Sequence, residues 1–211
     1  MYKYLSMKKF FFALFVFVTS GIFAQTTFRF GVKAGADYSL TTLQVPSNVD
    51  TKTSPKVGFW GGGFVEMSPN SEKNKFKLQL EALYNANNFA ISNTGYDDYK
   101  DHLDYLSFPL LAKYFIKPDF SLNAGPVFNL LMGATQSQYD ANTSTTISNN
   151  IDDQLKSFQM GLAVGATYYI YQGLFVDLRY NPFLGQANKN ATTLYNKLTP
   201  SALTLGLGYK F

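Results

Sequence analysis

Alternation of large apolar side chains with small or polar ones recurs in eight stretches of this 211-residue chain, and it restricts the possible folds more than any other feature. In the first stretch, FRFGVKAGADYSL (28–40), every second residue beginning with Phe28 is apolar, while Arg29, Lys33 and Asp37 lie between them. A period of two residues predicts a β-strand with one apolar and one polar face. The stretch is thirteen residues long, whereas strands of soluble domains usually have about five or six residues.

Seven further stretches show the same alternation. They span residues 56–67, 75–85, 103–116, 120–133, 158–170, 174–183 and 201–211. The connections after the second, fourth and sixth stretches are short. The others are long and polar, at 41–55, 88–102, 134–154 and 184–200. Short turns that alternate with long loops are typical of bacterial outer-membrane barrels. The pattern predicts an all-β fold, an eight-stranded antiparallel up-and-down transmembrane β-barrel, in which the last strand pairs with the first and leaves no open edge.

The first 24 residues have the features of a secretory signal peptide. Three lysines precede an apolar run of fourteen residues (10–23), which is followed by Ala24 and Gln25. A basic start, an apolar stretch of this length and a small residue before a polar one are typical of an exported protein. A membrane-spanning helix needs about 20 apolar residues. We expect a signal peptide (1–24) and an outer-membrane barrel domain (25–211), with an uncleaved anchor as the alternative.

The charge balance argues against nucleic acid as a partner. The full chain has 18 Lys and Arg against 14 Asp and Glu, but three of the lysines belong to the predicted signal peptide. The mature domain is therefore nearly neutral, whereas binding to a phosphate backbone requires a marked excess of basic residues. The chain has no cysteine, so a disulfide framework is excluded. The glycines on the strands form no phosphate-binding loop, and we expect no cofactor.

Ten charged residues fall on the polar faces of the predicted strands. The cations are Arg29, Lys33, Lys77, Lys113, Arg179 and Lys210, and the anions are Asp37, Glu66, Glu81 and Asp177. Charges enclosed in a narrow lumen must be paired or solvated, because an unpaired buried charge is costly. The interior of an eight-stranded barrel is just wide enough to be filled by side chains. We therefore expect a polar plug in which Glu66 balances Arg29 and Lys33, and a small ion channel is the alternative.

The second long loop, GYDDYKDHLDY (95–105), carries several carboxylates and the only histidine, His102. Clustered carboxylates are ligands for Ca²⁺, but the spacing does not match an EF-hand. A hydrolase is a second alternative, with His102 acting together with Asp101, Asp104 and Ser107. We favour a solvated acidic loop over both. The third long loop (134–154) is rich in Ser, Thr and Asn, which predicts a mobile, hydrophilic segment.

Aromatic residues on the apolar faces predict how the barrel meets lipid. We expect four tyrosines near the membrane interfaces: Tyr38, Tyr84, Tyr114 and Tyr180. The final stretch, SALTLGLGYKF, alternates up to Tyr209 and Phe211. This ending resembles the signal that the barrel-assembly machinery recognises during biogenesis.

Three segments resemble the PorT-like outer-membrane β-barrel family common in Bacteroidetes. They are FRFGVKAGADYS near the start, YLSFPLLAKYF (105–115) and the final GYKF. The resemblance covers roughly residues 26–211 and implies an outer-membrane barrel, but it implies no particular chemistry.

Together these observations predict a non-enzymatic outer-membrane protein with a plugged polar lumen and long extracellular loops, in a structural or partner-binding role. The expected partners are outer-membrane lipid, the barrel-assembly machinery and an unidentified surface or periplasmic protein. A hydrolase centred on His102 and a small channel stay open as alternatives.

Overall fold

The computed structural model describes residues 26–44, 51–69, 74–93, 99–140, 145–190 and 197–211. Within these residues the chain forms twelve β-strands and a short 3₁₀ helix at Asp152–Gln154. The strands are β1 (Thr27–Ser39), β2 (Thr42–Gln44), β3 (Thr51–Pro55), β4 (Val57–Ser68), β5 (Phe76–Asn93), β6 (Tyr99–Lys117), β7 (Phe120–Asp140), β8 (Thr145–Asn150), β9 (Phe158–Tyr171), β10 (Leu174–Pro182), β11 (Lys197–Thr199) and β12 (Ser201–Lys210). The predicted signal peptide lies outside the described residues.

Eight of these strands close into an antiparallel barrel, in the order β1, β4, β5, β6, β7, β9, β10, β12 and back to β1. The seam between β12 and β1 is fully paired, from Gly31 opposite Lys210 to Ser39 opposite Ala202. The predicted eight-stranded up-and-down barrel is therefore confirmed. Within the described residues, the chain contains no helix that is long and apolar enough to cross a bilayer.

The outer surface of the barrel is apolar and its interior is mostly polar. Along β12, the exposed side chains of Leu203, Leu205 and Leu207 alternate with the buried Ala202 and Thr204. The other barrel strands repeat this arrangement. A continuous band of exposed Phe, Leu, Val and Tyr side chains is typical of a lipid-facing surface.

One end of the barrel, which we call the short-turn end, carries tight connections. Pro118–Asp119 joins β6 to β7, and Gln172–Gly173 joins β9 to β10. Gln172 and Gly173 both have positive φ angles, of 31° and 92°, as two-residue hairpin turns require. A Cβ atom at Gly173 would also lie 2.3 Å from the carbonyl oxygen of Lys210, so a larger residue does not fit there.

Three strands continue beyond the ring at the opposite, long-loop end. β5 runs on to Asn93, β6 begins at Tyr99 and β7 runs to Asp140, whereas the sequence predicted boundaries at 85, 103 and 133. β3 pairs with the extension of β5, and β8 pairs with the extension of β7. The third long loop, predicted to be mobile and hydrophilic, thus contains a β-hairpin and the 3₁₀ helix.

These extensions enclose an apolar core, and we call the whole assembly the cap. Its buried members are Phe89, Ile91, Leu103, Tyr105, Ala134, Ile151, Leu155, Ala187 and Leu198. The small sheet of β2 and β11 contributes Leu43 and Leu198. Residues from all four long connections therefore meet above the barrel.

A β-bulge separates the barrel from the cap. Between Asp104 and Tyr105 the pairing with β7 skips one residue, Met132, whose side chain is 63% exposed. Below the bulge Asn129 faces inward, and above it Ala134 takes the inward position. An extra residue changes which set of side chains faces the interior. The bulge therefore allows β7 to place side chains in both the barrel lumen and the core of the cap.

Candidate functional site

The lower part of the lumen is organised around one carboxylate, Glu66 on β4. Its Oε1 atom lies 3.0 Å from Nζ of Lys210 and 3.3 Å from Nζ of Lys77, and its Oε2 atom lies 3.2 Å from Nζ of Lys113. The side chains of Glu66 and Lys113 are almost completely buried. Three ammonium groups from three other strands thus converge on a single anion, and we call these four residues the Glu66 cluster.

The middle of the lumen holds a second group, the Glu81 cluster. Arg179 donates from Nη1 to Glu81 Oε2 at 2.8 Å and from Nη2 to Glu81 Oε1 at 2.9 Å, while Lys33 donates to Oε1 at 2.7 Å. Asp177 accepts a further bond from Arg179. Two cations and two anions balance here, and all four side chains are buried.

The Gln79 amide connects the two clusters, and the Thr167 hydroxyl adds a hydrogen bond to the Glu81 cluster. Gln79 accepts a 3.0 Å hydrogen bond from Lys113 and donates one to Glu81. On the opposite wall, Thr167 donates to Asp177 at 3.0 Å. Buried charges need such additional hydrogen bonds, because their Coulomb attraction alone barely offsets the loss of hydration.

Aromatic rings fill the space between the charges. Trp60, Phe64, Phe115, Tyr169 and Phe175 all lie on the inward faces, with Phe64 edge-on to Phe175 at 5.7 Å between ring centroids. Ammonium groups lie over several of the rings, including Lys210 at 4.4 Å from the centroid of Tyr169. Such cation–π contacts contribute about 0.5–2 kcal/mol each.

Small residues on the nearby strands β1 and β12 make room for these rings. A Cβ atom at Gly206 would lie 2.3 Å from Trp60, and one at Gly31 would lie 2.3 Å from Phe64. The space for Trp60 and Phe64 therefore comes from glycines of β12 and β1.

Above the Glu81 cluster the lumen contains a cavity of about 40 Å³. Asp37, Asn85, Ser107, Asn129 and Thr204 are among the residues that line it. Both carboxylate oxygens of Asp37 and the Nδ2 atom of Asn129 are buried, and none of them has a hydrogen-bond partner among the described residues. A water molecule needs about 10–15 Å³ and two to four polar partners. The cavity therefore has space for about three water molecules.

The structure places eight of the ten charged residues predicted for the lumen in buried positions and leaves Arg29 and Lys210 half-buried. Arg29 stands opposite Glu66 in the pairing of β1 with β4. The expected partnership of Glu66 with Lys33 is wrong, because Lys33 lies nearer the middle of the lumen and binds Glu81. Gln79 and the inward aromatic residues were not predicted to line the lumen, although Trp60 and Phe64 lie on the same face of β4 as Glu66.

The hydrolase constellation is not assembled. His102 and Asp104 face outward from β6, with His102 Nε2 3.1 Å from Asp104 Oδ1, whereas Asp101 and Ser107 face inward. Ser107 instead donates a 2.6 Å hydrogen bond to Asn129 inside the barrel. Residues an odd number of positions apart on a strand point to opposite faces, so His102 cannot activate Ser107.

The acidic loop is only partly described. Asp97 and Asp98, two of the carboxylates considered for Ca²⁺, lie outside the described residues. Among those described, no group of three or more His, Cys, Asp or Glu side chains has an arrangement that could hold a metal ion.

The aromatic residues predicted to meet lipid are on the outer surface. Tyr38, Tyr84, Tyr114 and Tyr180 are all exposed. Tyr209 and Phe211 are also exposed, and their rings meet edge-on at 5.3 Å.

Comparison with known structures finds chains of similar fold, among them an outer membrane protein. The fold is similar to that of Neisserial surface protein A, at 16% sequence identity and a TM-score of 0.45, with 86% of this chain and 97% of that one covered. It is also similar to Ail, the attachment invasion locus protein of Yersinia pestis, at 11% identity and a TM-score of 0.48, with 87% and 98% covered. The outer membrane protein OprG from Pseudomonas aeruginosa is similar at 13% identity and a TM-score of 0.46, with 89% of this chain and 97% of that one covered. No protein with a curated description matches the chain.

A family model supplies the assignment. The model described as outer membrane protein beta-barrel domain matches residues 23–187, which is most of the chain. The match agrees with the closed ring and its apolar outer surface. The chain therefore belongs to the family of outer membrane protein beta-barrel domains and is located in the outer membrane.

Proposed function

We propose that the protein is a non-enzymatic outer-membrane barrel with a closed lumen, which presents its cap to a partner on the cell surface. The observation that carries this proposal is the pair of buried ionic clusters across the lumen. The side chains of Glu66, Glu81 and Lys113 are at most 1% exposed, whereas the wall of a conducting pore is hydrated. The separation of His102 from Ser107 on opposite faces of β6 supports a role without catalysis.

The orientation is part of this proposal. Bacterial barrels have short turns on the periplasmic side and longer loops outside. We therefore propose that the short-turn end and both ends of the mature chain face the periplasm, after export by the signal peptide (1–24). The cap then faces the medium, where its exposed strands β3 and β8 are accessible to a partner.

The finer family and the route of assembly are also proposals. The resemblance of FRFGVKAGADYS and YLSFPLLAKYF supports a PorT-like barrel of the Bacteroidetes type. The outward alternation of β12, which leads to the exposed Tyr209 and Phe211, supports recognition by the barrel-assembly machinery. Outer-membrane lipid is the expected partner of the apolar belt.

Conductance tests the closed lumen. We expect the purified protein to show no steady current in planar lipid bilayers. Heat-modifiable migration of the same sample on a semi-native gel establishes that the barrel is folded. A steady, voltage-independent conductance of the folded protein would overturn the proposal.

Single-cysteine labelling tests the orientation, and the cysteine-free chain makes it simple. A membrane-impermeant maleimide should label Asn149→Cys in β8 on intact cells. It should label Pro118→Cys in the short turn only after the outer membrane is permeabilised. The reverse pattern would place the cap in the periplasm.

A further inference from the structure

The short-turn end of the barrel opens into a pocket of about 500 Å³. This volume falls within the range of small-molecule sites, about 300–1,000 Å³. Four lysines line it, namely Lys75, Lys77, Lys117 and Lys210, and no acidic side chain among the described residues does. The pocket lies at the opposite end of the barrel from the cap, so its role is separate from the function proposed above.

The charges at the base of the pocket do not balance. Among the described residues, the three ammonium groups of the Glu66 cluster share one carboxylate, which leaves an excess of two positive charges within the cluster. Each ammonium has three donor hydrogens, and Lys77 and Lys210 each donate one hydrogen bond to Glu66 within the described residues. Both side chains also reach the pocket. Donors and positive charge thus remain available to a ligand.

The lysines are held in position before any ligand arrives. The side chain of Lys113 is 1% exposed, and its Nζ atom lies 3.2 Å from Oε2 of Glu66. Lys210 lies over the ring of Tyr169, and Lys77 lies 4.8 Å from the centroid of Phe115. Donors that are already oriented bind an anion with a smaller loss of side-chain entropy.

We propose that this pocket binds a phosphate monoester, carried either by a small molecule or by a lipid headgroup. The Glu66 cluster has two excess positive charges, and Lys75 and Lys117 add two more at the pocket, so a phosphate dianion neutralises more of this charge than a carboxylate would. Lysine is a common phosphate ligand, while arginine favours the planar, two-pronged contact with a carboxylate. Phe115 and Tyr169 stack at 6.0 Å between ring centroids and form an apolar wall for the organic part of the ligand.

The experiment uses the full chain in an uncharged detergent at low salt, titrated with inorganic phosphate and with phenyl phosphate. Binding is measured by isothermal titration calorimetry, and chloride at equal ionic strength is the blank. We expect saturable binding of both probes, with phenyl phosphate the tighter. Lys210→Met should weaken binding by about tenfold, as expected for a charged hydrogen bond. Lys117→Gln on the exposed rim should weaken it less.

Lys100→Met is the matched control, because Lys100 is an exposed lysine in the cap, and it should bind as the wild type does. A second arm uses protein in phosphatidylcholine vesicles with and without phosphatidic acid, read by thermal unfolding. Binding of the free phosphates without stabilisation by phosphatidic acid indicates a soluble ligand. Stabilisation by phosphatidic acid as well indicates a lipid headgroup.

Three outcomes would overturn the proposal: no saturable binding of any probe, unchanged binding by both Lys210→Met and Lys117→Gln, or an equal loss in Lys100→Met. Heat-modifiable migration of each variant shows that it has folded. None of these measurements depends on whether the lumen conducts, so this proposal and the proposed function fail separately.

Discussion

The lumen of the barrel and the core of the cap lie on the same strands, but opposite chemistry fills them. Inside the barrel, Glu81 and Arg179 are buried among charges and amides, and the outer surface is apolar. Inside the cap, Leu103 and Leu155 are buried among apolar side chains, and the exposed Asn149 and Lys100 are polar.

The difference follows from the medium around each region. Lipid tails accept apolar side chains at no cost, so a barrel in the membrane has no hydrophobic drive to bury them and can place polar groups inside. Above the membrane the cap is surrounded by water, so its apolar side chains are buried in its interior. The bulge at Met132 lies at the point on β7 where the polar lumen ends and the apolar core of the cap begins.

The largest expected effect is the loss of a lumenal anion. Glu81→Ala removes the carboxylate that binds both Arg179 and Lys33 and leaves two buried cations with Asp177 alone. Breaking a buried ion pair costs about 3–5 kcal/mol, so the free energy of unfolding in lipid vesicles, measured with urea, should fall by about this amount. Asp119→Ala, at a half-buried position in the turn between β6 and β7, is the control. An unchanged midpoint for Glu81→Ala would show that water reaches the cluster.

A cap substitution of similar size should act locally. Leu103→Ala removes a fully buried side chain and should cost about 2–5 kcal/mol. Because the Glu81 cluster does not depend on the cap core, the cap should become sensitive to protease while heat-modifiable migration is retained. Ile147→Ala, at an exposed position of β8, should change neither property. Simultaneous loss of both regions would show that cap and barrel unfold as one unit.

The outer surface gives a third and smaller effect. Leu205 is exposed near the middle of β12, and an arginine at the bilayer midplane costs about 2–4 kcal/mol. Leu205→Arg should therefore lower the urea midpoint in vesicles. Tyr209→Asp, near the end of the strand, should lower it less. Equal effects at the two positions would mean that the barrel does not sit in the membrane at the expected height.

The same contrast explains how much of the fold the sequence could predict. Along β1 and β12, lipid outside and polar groups inside force strict alternation, so the barrel strands could be recognised. In the extension of β5, Ala86, Phe89, Ala90 and Ile91 are all buried, because both faces of the sheet are covered there. The period of two is then lost, and the extension could not be told from a loop.

The candidate site could be predicted only in part, for a related reason. Alternation assigns each side chain to a face but not to a height in the lumen, which depends on the stagger of the closed ring. Lys33 and Glu66 are both inward residues of neighbouring strands, but they belong to different clusters. The phosphate pocket likewise depends on Lys210 and Lys77, which are far apart in sequence and meet only when the barrel closes.

The smallest expected effect is a pH dependence confined to the cap. Asp101 lies in the extension of β6 beyond the bulge, and burial raises the pKa of its carboxyl to about 6, while a hydrogen bond from Gln136 acts in the opposite direction. Within the part of the chain that the structure describes, its Oδ2 atom has no hydrogen-bond partner. The unfolded chain releases this proton near its ordinary pKa of 3.8, so the folded cap holds the proton more tightly.

The raised pKa fixes the direction of the effect. The contribution to stability is complete below pH 4 and is lost as the pH rises through about 6. Hydrogen exchange of cap amides, corrected for the intrinsic pH dependence, should therefore show easier opening at pH 7 than at pH 4. Asp101→Asn, which stays neutral, should flatten the profile, and Asp153→Asn at an exposed carboxyl should not. A flat wild-type profile would mean that water solvates Asp101 and that the cap interior is less dry than its apolar core implies.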